Sequence, residues 1–441
     1  MRRALRLAAP ILLMAAVVIT LVLSPGVQAP ERDVRTDRAS RVRIGAEHGG
    51  RPTLAILPFA TEGSATDLGG VAALLGDVLQ ADLAYEDVFD LTPASARGAV
   101  AAPTADGVLT GLVRVQEGTL RLELRIRDAS GGQLAFAREY AGRVEIARLV
   151  AHVAADEILG DQGAVCGVAH SRLAFVSDRL GAFHEPTGAL RRVKEIFVSD
   201  YDGAREERAT ADGDLDLTPA WSPDGRLLAY TSYRLGFQDI FVTDLAARRA
   251  WPAIVGHARN WLPAWSPDGK QIAFTSSRDG NEAIYVMNAD RTDLRRLTTG
   301  WAIDTSPAWS PDGRRIAFTS NRTGSPQIWV MDADGANPQQ LTKEKYCDRP
   351  SWSPGPVDEI AYVSQTGTGF DIKVIETAAR RVRQLTFGPV NESPAFSPNG
   401  RHIAFTSTRS GSQQIWTMTR MGTDLRQVTR AGNNSMPAWS R

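Results

Sequence analysis

A unit of about 44 residues repeats through the second half of the chain, and that period sets what the chain can fold into. The segment PAWSPDG carries Trp221, Trp265 and Trp309, then continues as SWSPG at Trp352, AFSPNG at Phe396 and PAWS at Trp439. The intervals are 44, 44, 43, 44 and 43 residues. A second stretch follows each copy: LAFVS from Leu173, LAYTS from Leu228, IAFTS from Ile272, Ile316 and Ile403, and IAYVS from Ile360. A third follows again, from IFVSD at Ile196 to IWTMT at Ile415, and a short fourth such as Arg296-Leu297-Thr298 completes most units. Each stretch is short, rich in β-branched and aromatic residues, and bounded by turn residues, which is the pattern of strands. In Ser-Pro-Asp-Gly, proline presets φ, aspartate accepts from nearby amides and glycine takes the positive φ that returns the chain as a hairpin. Four strands per period is the mark of a propeller blade, and six periods predict six blades.

The phase of the repeat predicts how the ring closes. The first unit opens at its second strand, Leu173, and the last supplies only a first strand, Ala438-Trp439-Ser440. The C-terminal strand is therefore expected to complete the blade that Leu173 begins, leaving no free sheet edge between the two ends. Two departures stand out. The fifth copy loses its Asp-Gly pair, and the first has an insertion around Phe183 to Val193 that is expected to project as a loop.

Ahead of the repeat, residues 1–29 read as a signal peptide: basic Arg2, Arg3 and Arg6, an apolar run from Leu7 to Leu23, and small residues at Val27-Gln28-Ala29. An uncleaved anchor is the rival reading. Residues 30–50 are polar and read as a flexible arm. Residues 51–165 read as a small α/β domain. Its expected elements are a strand at Thr53 to Phe59, a helix at Leu68 to Leu83, strands at Val108 to Val115, Leu120 to Arg127 and Gln133 to Tyr140, and a closing helix at Val144 to Leu159. The propeller takes 170–441. The fold class is thus an α/β N-terminal domain followed by an all-β six-bladed propeller closed by its C-terminal strand. With 50 basic against 50 acidic side chains, nothing favours nucleic acid or an anionic bilayer. Cys166 and Cys347 are the two cysteines, and their spacing leaves open whether they pair.

No nucleophile elbow, zinc-ligand spacing or phosphate-binding glycine loop occurs, so no catalytic residue, metal or cofactor is expected. Asp224, Asp268 and Asp312 belong to the turns. One feature looks like a site. Each loop leading into a first strand carries a polar residue three places before its proline: Asp216, Asn260, Asp304, Asn391 and Asn434, with Cys347 and then Asp348 in the fifth copy. Asp and Asn shape turns, and that is one reading. The other is a polar ring at the channel mouth that receives a partner's loop, with Trp261, Leu262, Arg349 and Glu392 adding anchor and charge contacts. A hydrolase or lactonase whose Asp216, Asp304, Asp348 and Asn434 hold a divalent ion is the alternative from a different class.

Taken together, VRIGAEHGGRP at Val42 to Pro52, the strand ending in Pro58-Phe59, GVLTGLVRV at Gly107 to Val115, the helix with His152, Asp156 and Glu157, SDYDG at Ser199 to Gly203, the PAWSPDG repeats and the terminal PAWS give a chain that resembles the TolB family. The resemblance covers almost everything from Val42 onward. It implies a periplasmic, monomeric scaffold of the Tol-Pal system, without enzymatic activity. In that role it bridges the outer-membrane lipoprotein Pal and the inner-membrane protein TolA, and supports envelope integrity and cell division. It also implies that Pal docks at the propeller mouth, at positions corresponding to Arg259, Leu262 and Thr305. The segment after the signal, Val42, Arg43 and Ile44, is implied to meet TolA.

Overall fold

A computed structural model describes residue 44 and residues 50–63, 68–93, 105–128, 132–163, 167–184, 190–256 and 258–440. The expected signal peptide, Val42, Arg43 and Cys166 lie outside them.

The N-terminal domain is a mixed sheet with two helices. Its elements are β1 (Thr53–Ile56), β2 (Ala60–Glu62), α1 (Leu68–Tyr85), β3 (Asp90–Pro93), β4 (Gly107–Gln116), β5 (Thr119–Asp128), β6 (Leu134–Arg143) and α2 (Ala147–Asp161). The sheet order is β3-β1-β4-β5-β6, with β2 beside β4. Alternation along β5 buries Leu120, Leu122, Leu124 and Ile126 on one face and turns Arg121 and Arg125 outward. The β4–β5 hairpin turns through Glu117 and Gly118, both at positive φ, as a tight two-residue hairpin requires. The short β2 and β3 carry too few apolar residues to announce themselves in sequence. β3 pairs in parallel with β1 through the α1 crossover.

At one point the arm is not free. Ile44 is buried in the domain core, its backbone amide donates to Gln162 Oε1 at 3.0 Å, and a Cβ on Gly107 would come within 2.8 Å of its side chain. The polar composition of 30–50 hid this single apolar anchor.

From Arg172 the chain builds six four-stranded antiparallel sheets. Ring closure follows the phase of the repeat: Asn434–Trp439 pairs antiparallel with Arg172–Ser177, setting Ala438 against Ala174 and Trp439 against Leu173. The second and third strands of each blade are nearly all buried, and the short fourth strands form the rim. In the turns, Ser266 Oγ donates to Asp268 Oδ1 at 2.6 Å, and that oxygen accepts from Lys270 N–H at 3.1 Å. The same geometry recurs at Asp224 and Asp312, so these carboxylates are consumed as turn formers. The first-blade insertion is more ordered than a loop: Ala182–His184 and Leu190–Arg192 pair as a small hairpin.

The two domains share one core. Apolar residues of α1 and α2 are continuous with Leu173, Phe175, Phe197, Ile415 and Val428 of the first and sixth blades. Polar groups fix the register of this junction. Tyr201 Oη donates to Asp82 at 2.8 Å, His152 Nδ1 lies 2.7 Å from Asp82, and His152 Nε2 lies 3.7 Å from Asp200. Asp200 in turn accepts from Arg148 at 3.2 Å and Arg205 at 2.7 Å. Asn399, in the sixth blade's turn, donates to Glu86 at 3.1 Å. Burial works against the charged imidazolium, but the Asp200 and Asp82 carboxylates outweigh it and hold the His152 pKa up at about 9.

A group whose folded pKa lies above its ordinary 6.5 contributes stability that is whole below that pH and is lost as pH rises through 9. Thermal unfolding of the wild type should therefore fall in midpoint across that window. His152→Ala, which leaves the buried Asp82 without its counter-charge, should cost on the order of 3–5 kcal/mol at pH 6 and remove that part of the pH slope.

Candidate functional site at the open mouth of the propeller

Each inner strand carries the same irregularity. In the second blade Leu217 faces Thr231 and Ala220 faces Ala229, so Thr218 and Pro219 together oppose Tyr230. This is a β-bulge, and proline fits there because no ladder bond is asked of it. The residue before each proline is left-handed: Thr218, Leu262, Ser306, Arg349, Ser393 and Met436 have φ between 50° and 57°. None is glycine, and a non-glycine residue in that region is strained by roughly 1–2 kcal/mol. Six such residues with their prolines line a cavity of about 130 Å³ around the channel axis. Small-molecule sites commonly occupy about 300–1,000 Å³. The opposite end of the channel is ringed by Trp309, Trp352, Phe396, Trp439 and turn prolines. The Asn399–Glu86 contact puts the N-terminal domain at that end, so the bulge ring faces away from it.

Just behind this mouth lie the polar residues picked out from sequence. Asp216, Asn260, Asp304, Asn391 and Asn434 are each at most 1% exposed. They are the first residues of the inner strands, and their side chains point into the blades. Arg278 explains how they are held. Its guanidinium lies 5.8 Å from the Phe274 ring and 5.0 Å from Tyr285, and it donates to Asn260 Oδ1 at 3.1 Å. Arg322 with Asp304, Arg409 with Asn391 and Arg179 with Asn434 repeat the arrangement. The fifth blade loses both halves together: buried Cys347 replaces Asp or Asn, and Ser364-Gln365-Thr366 carries no arginine. Side chains this buried do not meet a docked partner. Their place in the contact ring is corrected: Asn260, Asp304, Asn391 and Asn434 brace the loops that form the mouth, and Asp216 is buried at the matching position. The Ser-x-Arg at the end of five of the second strands is the sequence signal that marks this arginine position.

The remaining candidates are exposed or half-buried. Leu262 and Arg349 line the channel cavity. Thr305, Trp261 and Glu392 each sit one residue before the left-handed position, half-buried at the mouth. Asp348 holds the equivalent place in the fifth blade and accepts from Thr319 at 2.8 Å and Ser306 at 3.2 Å across to the fourth. Arg259 is exposed, stacks 5.4 Å from the Trp261 ring and donates to Glu282 at 2.6 Å. The ion-holding alternative finds little support in this geometry. Asp304 is neutralised by Arg322, and the Asn434 amide nitrogen is bound to Gln414. Among the described residues no three His, Cys, Asp or Glu groups converge on a metal position. Cys347 is a free thiol, pushed up to about 12 by burial.

A family profile described as the TolB beta propeller domain matches residues 162–441. The chain belongs to the TolB β-propeller family. Curated relatives named Tol-Pal system protein TolB include one from Desulfosudis oleivorans, 38% identical over 135 residues, covering 31% of this chain and 28% of that protein. Another, from Anaeromyxobacter dehalogenans, is 33% identical over 252 residues, covering 53% of this chain and 51% of its own. The chain spans about half or less of the length of the curated relatives it matches. The crystal structure of TolB from Acinetobacter baumannii matches with a TM-score of 0.75 at 24% identity, covering 89% of this chain and 97% of that one. The two-part fold is therefore that of a TolB protein.

One residue of the brace is out of step with its family of repeats. Arg234, the second-blade counterpart of Arg322, pairs with Asp212 and Tyr230 instead of reaching inward. Both Asp216 carboxylate oxygens are left without a hydrogen-bond partner. Burial, reinforced by the charge on Asp212, pushes its carboxyl up to about 7. The unfolded carboxyl titrates near about 3.9, so the fold loses stability as pH rises from there through 7. Asp216→Asn, which installs the residue found at Asn260, Asn391 and Asn434, should leave the melting temperature unchanged at pH 4. At pH 8 it should raise it, by roughly 2–4 °C for each kcal/mol recovered.

Proposed function

We propose that this chain is a periplasmic protein-binding scaffold of the Tol-Pal system, acting by association and not by catalysis. Its open mouth receives the outer-membrane lipoprotein Pal, and its N-terminal segment contacts TolA at the inner membrane. In linking the two it maintains envelope integrity and supports cell division. The observation that carries the reading is the bulge ring itself. Six strained left-handed residues, held by bulge prolines and by the buried brace behind them, present a fixed polypeptide surface around a cavity too small for an ordinary substrate. Strain maintained at one rim of a rigid scaffold is characteristic of binding sites. The family membership and the relatives' shared name supply the system to which that surface belongs.

The Pal contact runs through Arg259, Trp261, Leu262, Thr305, Asp348, Arg349 and Glu392. The TolA contact runs through the segment at Val42 and Arg43. Ile44, the next residue of that segment, is seated in the core of the N-terminal domain, so its side chain is not part of the contact.

Binding of the mature chain to the peptidoglycan-associated lipoprotein of its own organism tests the reading, measured by titration calorimetry. Thr305 is half-buried at the mouth, and Thr305→Arg sets a long charged side chain there without touching the blade core. Submicromolar binding by the wild type and a loss of at least a hundredfold in the variant are expected. A wild-type chain that does not bind the lipoprotein would overturn the proposal.

A further inference from the structure

The two most exposed large apolar side chains described stand in entry loops of the open face. Trp301 and Phe387 are each 77% exposed, more than any other large apolar residue described, and Ile303 beside Trp301 is 44% exposed. They sit in the loops leading into the fourth and sixth inner strands, Asp304–Trp309 and Asn391–Phe396. Between them, the loop before the fifth inner strand carries Lys343 and Lys345, both exposed and without an ion pair among the described residues. Glu344, the residue between the two lysines, turns inward. Its carboxylate accepts from Lys373 at 2.6 Å and Tyr362 at 2.7 Å, so its charge is spent inside the blade. At the inner edge of the same sector, Arg349 has no carboxylate partner among the described residues, Glu392 has no counter-ion among them, and the Asp348 carboxylate is taken up by hydrogen bonds from Thr319, Ser306 and Tyr346.

The three loops leave neighbouring blades at the same end of the ring, so they form a continuous arc: aromatic, cationic, aromatic. The loops are anchored from below. Asn281 Nδ2 donates to Ala302 O at 2.6 Å, Gln327 Nε2 donates to Glu344 O at 2.6 Å, and Val390 bridges to Phe370. An exposed Trp or Phe on an anchored loop loses little conformational entropy on binding and desolvates a large apolar area, which is how interface hot spots are built. Unpaired lysines between two such anchors favour a partner of opposite charge and speed its approach.

We propose that this arc of Trp301, Lys343, Lys345 and Phe387 is a second contact region for the protein docked at the mouth, and that it recognises an acidic surface bearing apolar side chains. The inference rests on the mouth reading and adds to it that the docked protein's footprint extends outward from the mouth over the entry loops of the fourth to sixth blades.

The test compares Trp301→Ala, Phe387→Ala and the double variant Lys343→Glu/Lys345→Glu with wild type and Thr305→Arg. The purified peptidoglycan-associated lipoprotein of the same organism is the ligand, at low and at high salt. All four arc positions are exposed, so thermal unfolding should be unchanged and serves as the folding control. Each aromatic truncation is expected to weaken binding at least tenfold. The charge reversal should slow association at low salt and flatten the salt dependence. Arc variants that bind as the wild type does, while Thr305→Arg does not, would confine the partner to the channel mouth and overturn the arc alone. No binding by the wild type would overturn the mouth reading, and the arc with it.

Discussion

Two strands from opposite ends of the propeller, Arg172–Ser177 and Asn434–Trp439, hold the ring shut through an antiparallel ladder, and every other feature depends on that closure. Each blade is one sheet packed on two neighbours, with Ala-rich inner positions that let the sheets converge on the axis. An open stack would present an unpaired edge and a half-covered face at each end. Closure removes both, and Trp439 Nε1 adds a bond to Ser171 at 2.6 Å where the ring meets the N-terminal domain. A closed ring has little freedom to relax, which is why the bulges can be kept in a conformation that isolated chains avoid.

The bulge does two things at once. It lets proline sit in an inner strand without leaving an unmatched ladder partner, and it turns the preceding residue toward the axis. Repeated six times, it makes the channel mouth a ring of backbone in fixed geometry while the side chains at the same positions vary: Thr218, Leu262, Ser306, Arg349, Ser393, Met436. The scaffold is symmetric and the chemistry is not. Polarity differs from blade to blade, and Trp301 and Phe387, of the fourth and sixth blades, are the most exposed of the large apolar side chains described.

At the other end of the molecule, the N-terminal domain is joined to the propeller through a shared apolar core and a buried cluster built on His152, Asp82, Asp200 and Tyr201. A hydrophobic junction alone would tolerate several registers. Buried charges tolerate only the one in which each finds its partner, because leaving one unpaired costs several kcal/mol. The cluster therefore sets the domain orientation, and with it which end of the channel stays open.

Blade number, closure and the helices of the first domain were legible in the sequence, because strand alternation, the Ser-Pro-Asp-Gly turns and the 44-residue period are local patterns that each blade repeats. The short β2 and β3 were not, since strands of three or four residues have no period of their own and form only when β1 and β4 are there to pair with. The polar residues expected to ring the channel mouth, Asp216, Asn260, Asp304, Asn391 and Asn434, are buried behind it. Sequence shows that a residue is polar, not whether an arginine at the end of the neighbouring strand draws it inward. Ile44 and Trp301 make the same point in opposite senses. Both are apolar residues in stretches read as polar or as loop, and one is seated in a core while the other stands in water. Periodicity settles which residues form strands because hydrogen-bond ladders are local. Which side of the resulting surface a given side chain faces is decided only when distant blades and domains have packed against it.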